Sequence, residues 1–152
     1  MNRFAYALLA LMMLVLASPA HATVKADQVR VDKSDRLLLL YRQGALIKSY
    51  RISLGPVPVG DRIRREDGRT PEGRFRIEAK DLSDRYYKAI RASALASRDS
   101  TVVIHGQRPA LMPVSAIVKR LDWTDGSIAL SNRDIDEFWD AIGPGTELSI
   151  EP

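Results

Sequence analysis

The 152-residue sequence contains no cysteine. Disulfides, thiolate zinc sites and any chemistry that needs a thiol are therefore excluded. Histidine is almost as scarce, with only His21 and His105 in the whole chain. A metal centre would have to be built from carboxylates alone, and no carboxylate spacing suggests one. There is no glycine-rich phosphate loop, no internal repeat, no low-complexity tract and no linker. No metal, cofactor or nucleotide is expected from such a chain.

The longest apolar run lies at the start. Met1-Asn2-Arg3 supplies one positive charge, Phe4 to Ala17 is almost unbroken hydrophobic sequence, and Ser18-Pro19-Ala20-His21-Ala22 ends in a small-x-small pattern. This is the form of a secretory signal over residues 1–22. The run is shorter than the roughly 20 residues of a permanent bilayer helix; an uncleaved N-terminal anchor is the alternative. Residues 23–152 then form a single domain, exported by a bacterium to the periplasm or cell envelope, with no stable membrane span after cleavage. Loss of Arg3 leaves 22 basic against 19 acidic residues. So mild and interspersed an excess suits an anionic envelope partner but is too weak to argue for nucleic acid. Nothing sets an oligomeric state.

Beyond the leader most segments read as strands. Val29–Val31 is short, Arg36–Tyr41 reads as a strand buried on both faces, and Ala45–Leu54 alternates roughly, with Gln43-Gly44 as a hairpin turn. Residues 55–60 break the pattern, and 62–73 form a polar loop with turn signals at Asp67-Gly68 and Pro71-Glu72-Gly73. Arg74–Glu78 places Phe75 and Ile77 on one face and Arg74 and Arg76 on the other. Tyr86–Ser93 reads as strand or helix. Thr101–Ile104 reads as a buried strand running into His105-Gly106. Val114–Leu121 suits a short helix and Ser127–Leu130 a short strand. Asn132 looks like an N-cap, with Asp134 and Asp136 in the first turn of a helix that Gly143-Pro144-Gly145 stops. Glu147–Ile150 closes the chain. The expected fold is mainly β, with two or three short helices on its edge.

Two strand ends carry chemistry. VVIHG, residues 102–106, and WTDGSIAL, 123–130, each set a polar group beside a glycine. Histidine is the side chain best suited to act as a base near neutral pH, and a hydroxyl within its reach becomes an activated nucleophile. Taken alone, a strand-end histidine and a turn serine account for the same residues.

The segments GDRIRREDGRTPEGRFRI, VVIHG and RLDWTDGSIALSNRDIDEFW occur in this order behind the leader. Together they resemble the L,D-transpeptidase catalytic domain, the YkuD-type family of cell-wall cross-linking enzymes, in its DWTDG-type branch. The resemblance spans roughly residues 28–151 and implies a β-sandwich or barrel of that type. In that family a cysteine follows the glycine, and here Ser127 holds its place. Two further departures are Asp125, where many relatives carry histidine, and Ala129, where many carry arginine or asparagine.

The resemblance implies acyl transfer on peptidoglycan stem peptides, giving 3-3 cross-links or related cleavage. His105 would be base and then acid, the Gly106 carbonyl would orient its ring, and N–H groups near Gly126 and Ser127 would hold the oxyanion. A serine hydroxyl is far less acidic than a thiol of pKa about 8.5, and a site shaped for a thiolate–imidazolium pair is built around the longer C–S bond. Strongly reduced activity is therefore expected. The alternative is a pseudoenzyme of the same fold that binds peptidoglycan or a partner protein. Arg69 and Arg74 flank TPEG and could hold a stem-peptide carboxylate, or simply lie in a solvated loop. Asp125 could receive a substrate amine or stabilise its turn. Trp123 and Trp139 read as core or cleft wall, with direct substrate contact the other reading for Trp123.

Overall fold

A computed structural model describes residues 24–64, 66–82, 85–96, 100–107 and 121–152. Two strands open the domain, β1 (Gln28–Asp32) and β2 (Leu37–Arg42). The leucine run in β2 is not buried on both faces: Leu38 and Leu40 are buried, while Leu37 and Leu39 are half-exposed. The pleat sends successive side chains to opposite faces, so only alternate leucines reach a one-sided core. Gln43 and Gly44 follow, both at positive φ (51° and 78°). That pair of left-handed residues makes the tight turn expected of a two-residue hairpin, and β3 (Ala45–Arg51) returns along β2.

Strand β4 (Gly73–Asp81) is longer than the alternation suggested, with Phe75 and Ile77 buried and Arg74 and Arg76 exposed as it required. The ambiguous segment resolves as β5 (Ala89–Ala94), antiparallel to β4 and to β6 (Thr101–His105). Strand β7 is only Ile128–Ala129.

The helix α1 (Asn132–Ala141) is capped by Ser131, not Asn132: Asp134 N donates to Ser131 Oγ at 3.1 Å. Asn132 is already helical, and its amide oxygen accepts from Gln107 N at 2.8 Å. Of the two aspartates expected in the first turn, only Asp134 lies there. The helix expected over Val114–Leu121 falls, apart from Leu121, outside the described residues.

The last strand, β8 (Glu147–Glu151), inserts between β1 and β4. The sheet therefore runs β3-β2-β1-β8-β4-β5-β6-β7. Its two edges meet, because Ser53, just past β3, exchanges two 2.9 Å main-chain bonds with Ala129 in β7. The result is a mainly β fold, a curled half-barrel that α1 packs into with Ile135, Phe138 and Ala141.

The curl matters for function. Val102 and Ile104 point into the core, so His105 sits just past them at the sheet's end, where the pairing with β7 brings in the segment from 122 onward.

Candidate active site

Parallel pairing sets the central contact. Ile104 lies opposite Ile128 and His105 opposite Ala129, which carries Ser127 alongside the imidazole. His105 Nε2 is 2.8 Å from Ser127 Oγ, and His105 Nδ1 is 2.7 Å from the Gly106 carbonyl oxygen. A carbonyl can only accept, so Nδ1 carries a proton and Nε2 is the nitrogen presented to the hydroxyl. His105 is fully buried and Ser127 is 7% exposed.

Aromatic rings fix the imidazole plane. Tyr86 stacks on it at 3.7 Å between centroids and 19° from parallel, while Trp123 meets it edge-on at 5.8 Å and 70°. Trp123 therefore serves as a wall of the site. Trp139 is elsewhere, on α1, with the ammonium groups of Lys80 and Lys88 over its ring.

Both glycines beside the pair sit in tight surroundings, and at Gly126 main chain leaves no room for a side chain. Gly126 has φ of 100°, and a Cβ there would lie 2.5 Å from the Arg69 carbonyl oxygen. A Cβ on Gly106 would lie 2.8 Å from Asn132 Oδ1. The Gly126 N–H, one of the expected oxyanion donors, is directed at Thr124 Oγ1 at 3.2 Å, and that hydroxyl donates to the Ser127 carbonyl at 2.7 Å. The turn before the serine is thus held by its own threonine.

Asp125 is the polar neighbour of the pair. Its Oδ1 is 3.0 Å from Ser127 Oγ, and its Oδ2 is 3.4 Å from an Arg85 guanidinium nitrogen. Partial burial alone would raise its carboxyl pKa. The Ser127 hydroxyl, its own main-chain N–H and the charges of Arg85 and His105 outweigh that and hold it below the usual carboxylate range. Its side chain is 56% exposed, so the hydroxyl lies one contact beneath solvent.

The TPEG loop reaches the site through main chain. Arg62 donates to three carbonyls at once: Arg69 at 3.0 Å, Thr101 at 3.1 Å and Gly126 at 2.9 Å. The loop is anchored in turn by Lys33, 1% exposed, whose ammonium bonds the carbonyls of Gly60 and Thr70 and the Glu72 carboxylate at 2.7–3.0 Å. Arg69 lies beside Gly126, and its buried Nε has no hydrogen-bond partner.

Arg74 is different. It sits on β4 with a 3.5 Å contact to Glu147. Asp81, not Arg74, is level with His105 through Ala89; seven residues of strand at roughly 3.3 Å each separate the two positions. Arg74 is not brought to the pair.

Sequence reasoning missed Tyr86, Arg62, Lys33 and Asp122. Asp122 pairs with Arg36 at 2.8 Å and accepts from Leu54 N at 2.9 Å, which ties the segment before Ser127 to the loop after β3. Asp122 opens the DWTDG segment and Arg62 lies in the segment before TPEG, but nothing local there shows what either contacts. A basic residue in a polar loop looks solvated until its partners, 7 to 64 positions away, are known. Among the described residues no group of three or more histidines or carboxylates could hold a metal ion.

A family model, described as the L,D-transpeptidase catalytic domain, matches residues 26–150. Solved structures share the fold. An L,D-transpeptidase from Mycobacterium smegmatis aligns with a TM-score of 0.58 at 17% identity, over 84% of this chain and 59% of that one. One from Xylanimonas cellulosilytica aligns at 0.56 and 16%, over 84% and 61%. L,D-transpeptidase 3 from Mycobacterium tuberculosis, in complex with a faropenem-derived adduct, aligns at 0.58 and 16%, over 84% and 60%. The chain thus spans about three fifths of these proteins. No curated protein matches it.

Proposed function

This chain belongs to the L,D-transpeptidase catalytic-domain family, and on that premise we propose that it acts on peptidoglycan stem peptides by acyl transfer, with Ser127 as a slow nucleophile. One observation carries the reading: the sole histidine beyond residue 22 presents Nε2 to the Ser127 hydroxyl at 2.8 Å. The leader at residues 1–22, followed by one domain over 23–152, would place this chemistry in the periplasm or cell envelope.

The steps follow from the groups present. Ser127 Oγ attacks a stem-peptide carbonyl while its proton passes to His105 Nε2. The Ser127 main-chain N–H supports the oxyanion, and Arg69 offers a guanidinium to a substrate carboxylate. Collapse breaks the peptide bond, and His105 returns the proton to the departing amine. An incoming amine, or water, then attacks the ester, gives its proton to His105 and releases the serine. The imidazole is oriented for this by Gly106, Tyr86 and Trp123.

Serine makes the first step hard. Its proton must leave during the attack itself, whereas a thiol of pKa about 8.5 is readily ionised beside histidine. A second reading, a pseudoenzyme that binds stem peptides or a partner protein without turnover, is favoured by the second acceptor on the hydroxyl, Asp125 Oδ1 at 3.0 Å.

Faropenem, the source of the adduct on L,D-transpeptidase 3 of M. tuberculosis, is the probe for the test. Mass spectrometry after incubation should show a slow or absent adduct on the natural protein and a stoichiometric one on the Ser127→Cys variant, formed at least about a hundredfold faster. Folded Ser127→Cys protein that forms no adduct would overturn the active-site reading. An adduct or acylated intermediate on the natural protein with a disaccharide-tetrapeptide would decide for catalysis over binding alone.

A further inference from the structure

The hydrogen-bond arithmetic around Ser127 does not close if the site is a neutral histidine beside an ionised aspartate. His105 Nδ1 already spends its proton on the Gly106 carbonyl. The Ser127 hydroxyl has one proton and two close neighbours, Nε2 at 2.8 Å and Asp125 Oδ1 at 3.0 Å. With a neutral imidazole, that proton serves Nε2, and Oγ is left facing a carboxylate oxygen with lone pairs on both sides. All three contacts become hydrogen bonds only when the group holds one more proton. Nε2–H then donates to Oγ, and Oγ–H donates to Oδ1.

We infer that Asp125 is a positioning residue that keeps His105 in its protonated form through the Ser127 hydroxyl, so that the resting site is an imidazolium–carboxylate pair bridged by the serine. The inference rests on the active-site reading above and assigns Asp125 a role there. The ion pair that a cysteine would make with histidine is retained, but its negative member is displaced from residue 127 to residue 125.

The other charged and titratable groups around the pair fit this arrangement. Arg85, from the segment before β5, lies 3.4 Å from Asp125 and favours its ionised form. Arg62 donates to three carbonyls, including that of Gly126. Arg69 lies against Gly126 from the same loop. Tyr86 covers one imidazole face and Trp123 meets its edge. Among the described residues, Asp125 is the carboxylate that touches the serine. With the proton on Asp125 instead, the same three contacts would form, but the Arg85 guanidinium 3.4 Å from the carboxyl and its exposure to solvent favour the carboxylate and so the ion pair.

The bridge has a chemical consequence. An imidazolium cannot accept the hydroxyl proton, so Ser127 is not a nucleophile in this state. The site must first release one proton. It can leave along the bridge: Nε2–H passes to Oγ as Oγ–H passes to Oδ1, and the exposed carboxyl hands it to water. What remains is neutral His105, the serine hydroxyl and ionised Asp125, which is the form able to react.

The experiment is an NMR titration of the imidazole nitrogens in full-length protein labelled with ¹⁵N-histidine, with His21→Asn used to assign His105. In the natural protein His105 should titrate at least one pH unit above the ordinary value of about 6.5. Asp125→Asn should lower its proton affinity tenfold or more, because an amide can donate to Oγ and return the serine proton to Nε2. Ser127→Ala, which removes the bridge and keeps both charged groups, should also lower it. If folded Asp125→Asn and Ser127→Ala proteins leave the His105 midpoint where it was, the bridge is overturned. No substrate enters this readout. Failure of the penem adduct would sink the catalytic reading while leaving the titration to stand or fall by itself.

Discussion

The Tyr86 ring lies on the His105 imidazole, 3.7 Å away and 19° from parallel. Tyr86 is in the segment before β5, whereas His105 ends β6, so neighbouring antiparallel strands bring the rings together. The stack also carries the Arg85 guanidinium at 5.3 Å from the tyrosine ring. A flat cover on one imidazole face restricts the tilt that would carry Nε2 away from Ser127.

Tyr86→Leu should keep the site covered and lose the flat stack. The expected cost is about 1 kcal/mol of folding stability beyond the area change. The His105 ring protons should lose their aromatic upfield NMR shift, and penem acylation of the Ser127→Cys protein should slow. Tyr86→Phe should keep the upfield shift. An unchanged His105 spectrum in Tyr86→Leu would show that Gly106 and Trp123 suffice to hold the ring.

Arg62 is the clamp between the TPEG loop and the turn that carries Ser127. One ammonium cannot replace a fork that serves three carbonyls, so Arg62→Lys should free Gly126. A displacement of about 1 Å at the nucleophile costs on the order of a hundredfold. Placed in the Ser127→Cys background, Arg62→Lys should lower the rate of faropenem acylation by that order while the protein stays folded by circular dichroism. An unchanged rate would mean that Thr124 alone sets the turn.

Lys33 separates a buried ion pair from the exposed ones. Lys33→Ala strands the Glu72 carboxylate and two carbonyls, and breaking such a pair costs about 3 kcal/mol or more. Arg30→Ala breaks the pair with Glu151, where both side chains are more than 40% exposed, and should cost less than about 1 kcal/mol. Urea unfolding of the two variants measures the difference. Equal losses would contradict the anchoring role assigned to Lys33.

Much of the sheet was legible in the sequence because alternation is a local property. Phe75 and Ile77 on one face of β4, with Arg74 and Arg76 on the other, follow from the pleat, and Gln43-Gly44 announced its turn by the need for positive φ. Leu37–Leu40 misled because a run of one residue type carries no period, and the face that packs was chosen by the core. Ser131 and Asn132 are both competent caps, so the sequence does not choose between them; in the fold Ser131 accepts from Asp134 N while Asn132 accepts from Gln107 N.

The site was legible in part, for the same reason. Glycine beside a histidine and glycine beside a serine are local patterns. They named His105, Gly106, Gly126 and Ser127, and the family resemblance named their order. Arg69 and Arg74 looked equivalent beside TPEG, but strand β4 carries Arg74 away from the pair while the loop keeps Arg69 against Gly126. Arg62 and Asp122 lie inside the segments that carry the resemblance, but their roles, like those of Tyr86 and Lys33, were not legible because their contacts are made across the fold.

The sequence by itself determined which groups exist for chemistry: one histidine beyond residue 22, no thiol, and a serine after the glycine. It also marked strands where burial alternates residue by residue, as in β4, but left Tyr86–Ser93 open between strand and helix. Only the tertiary structure decided that β6 and β7 run side by side, that the serine hydroxyl has two polar partners within 3.0 Å, and that an aromatic ring lies on the imidazole. Hydrogen bonds and ring contacts act over a few ångströms, and which residues come that close depends on strand order and register, which no short stretch of chain specifies alone.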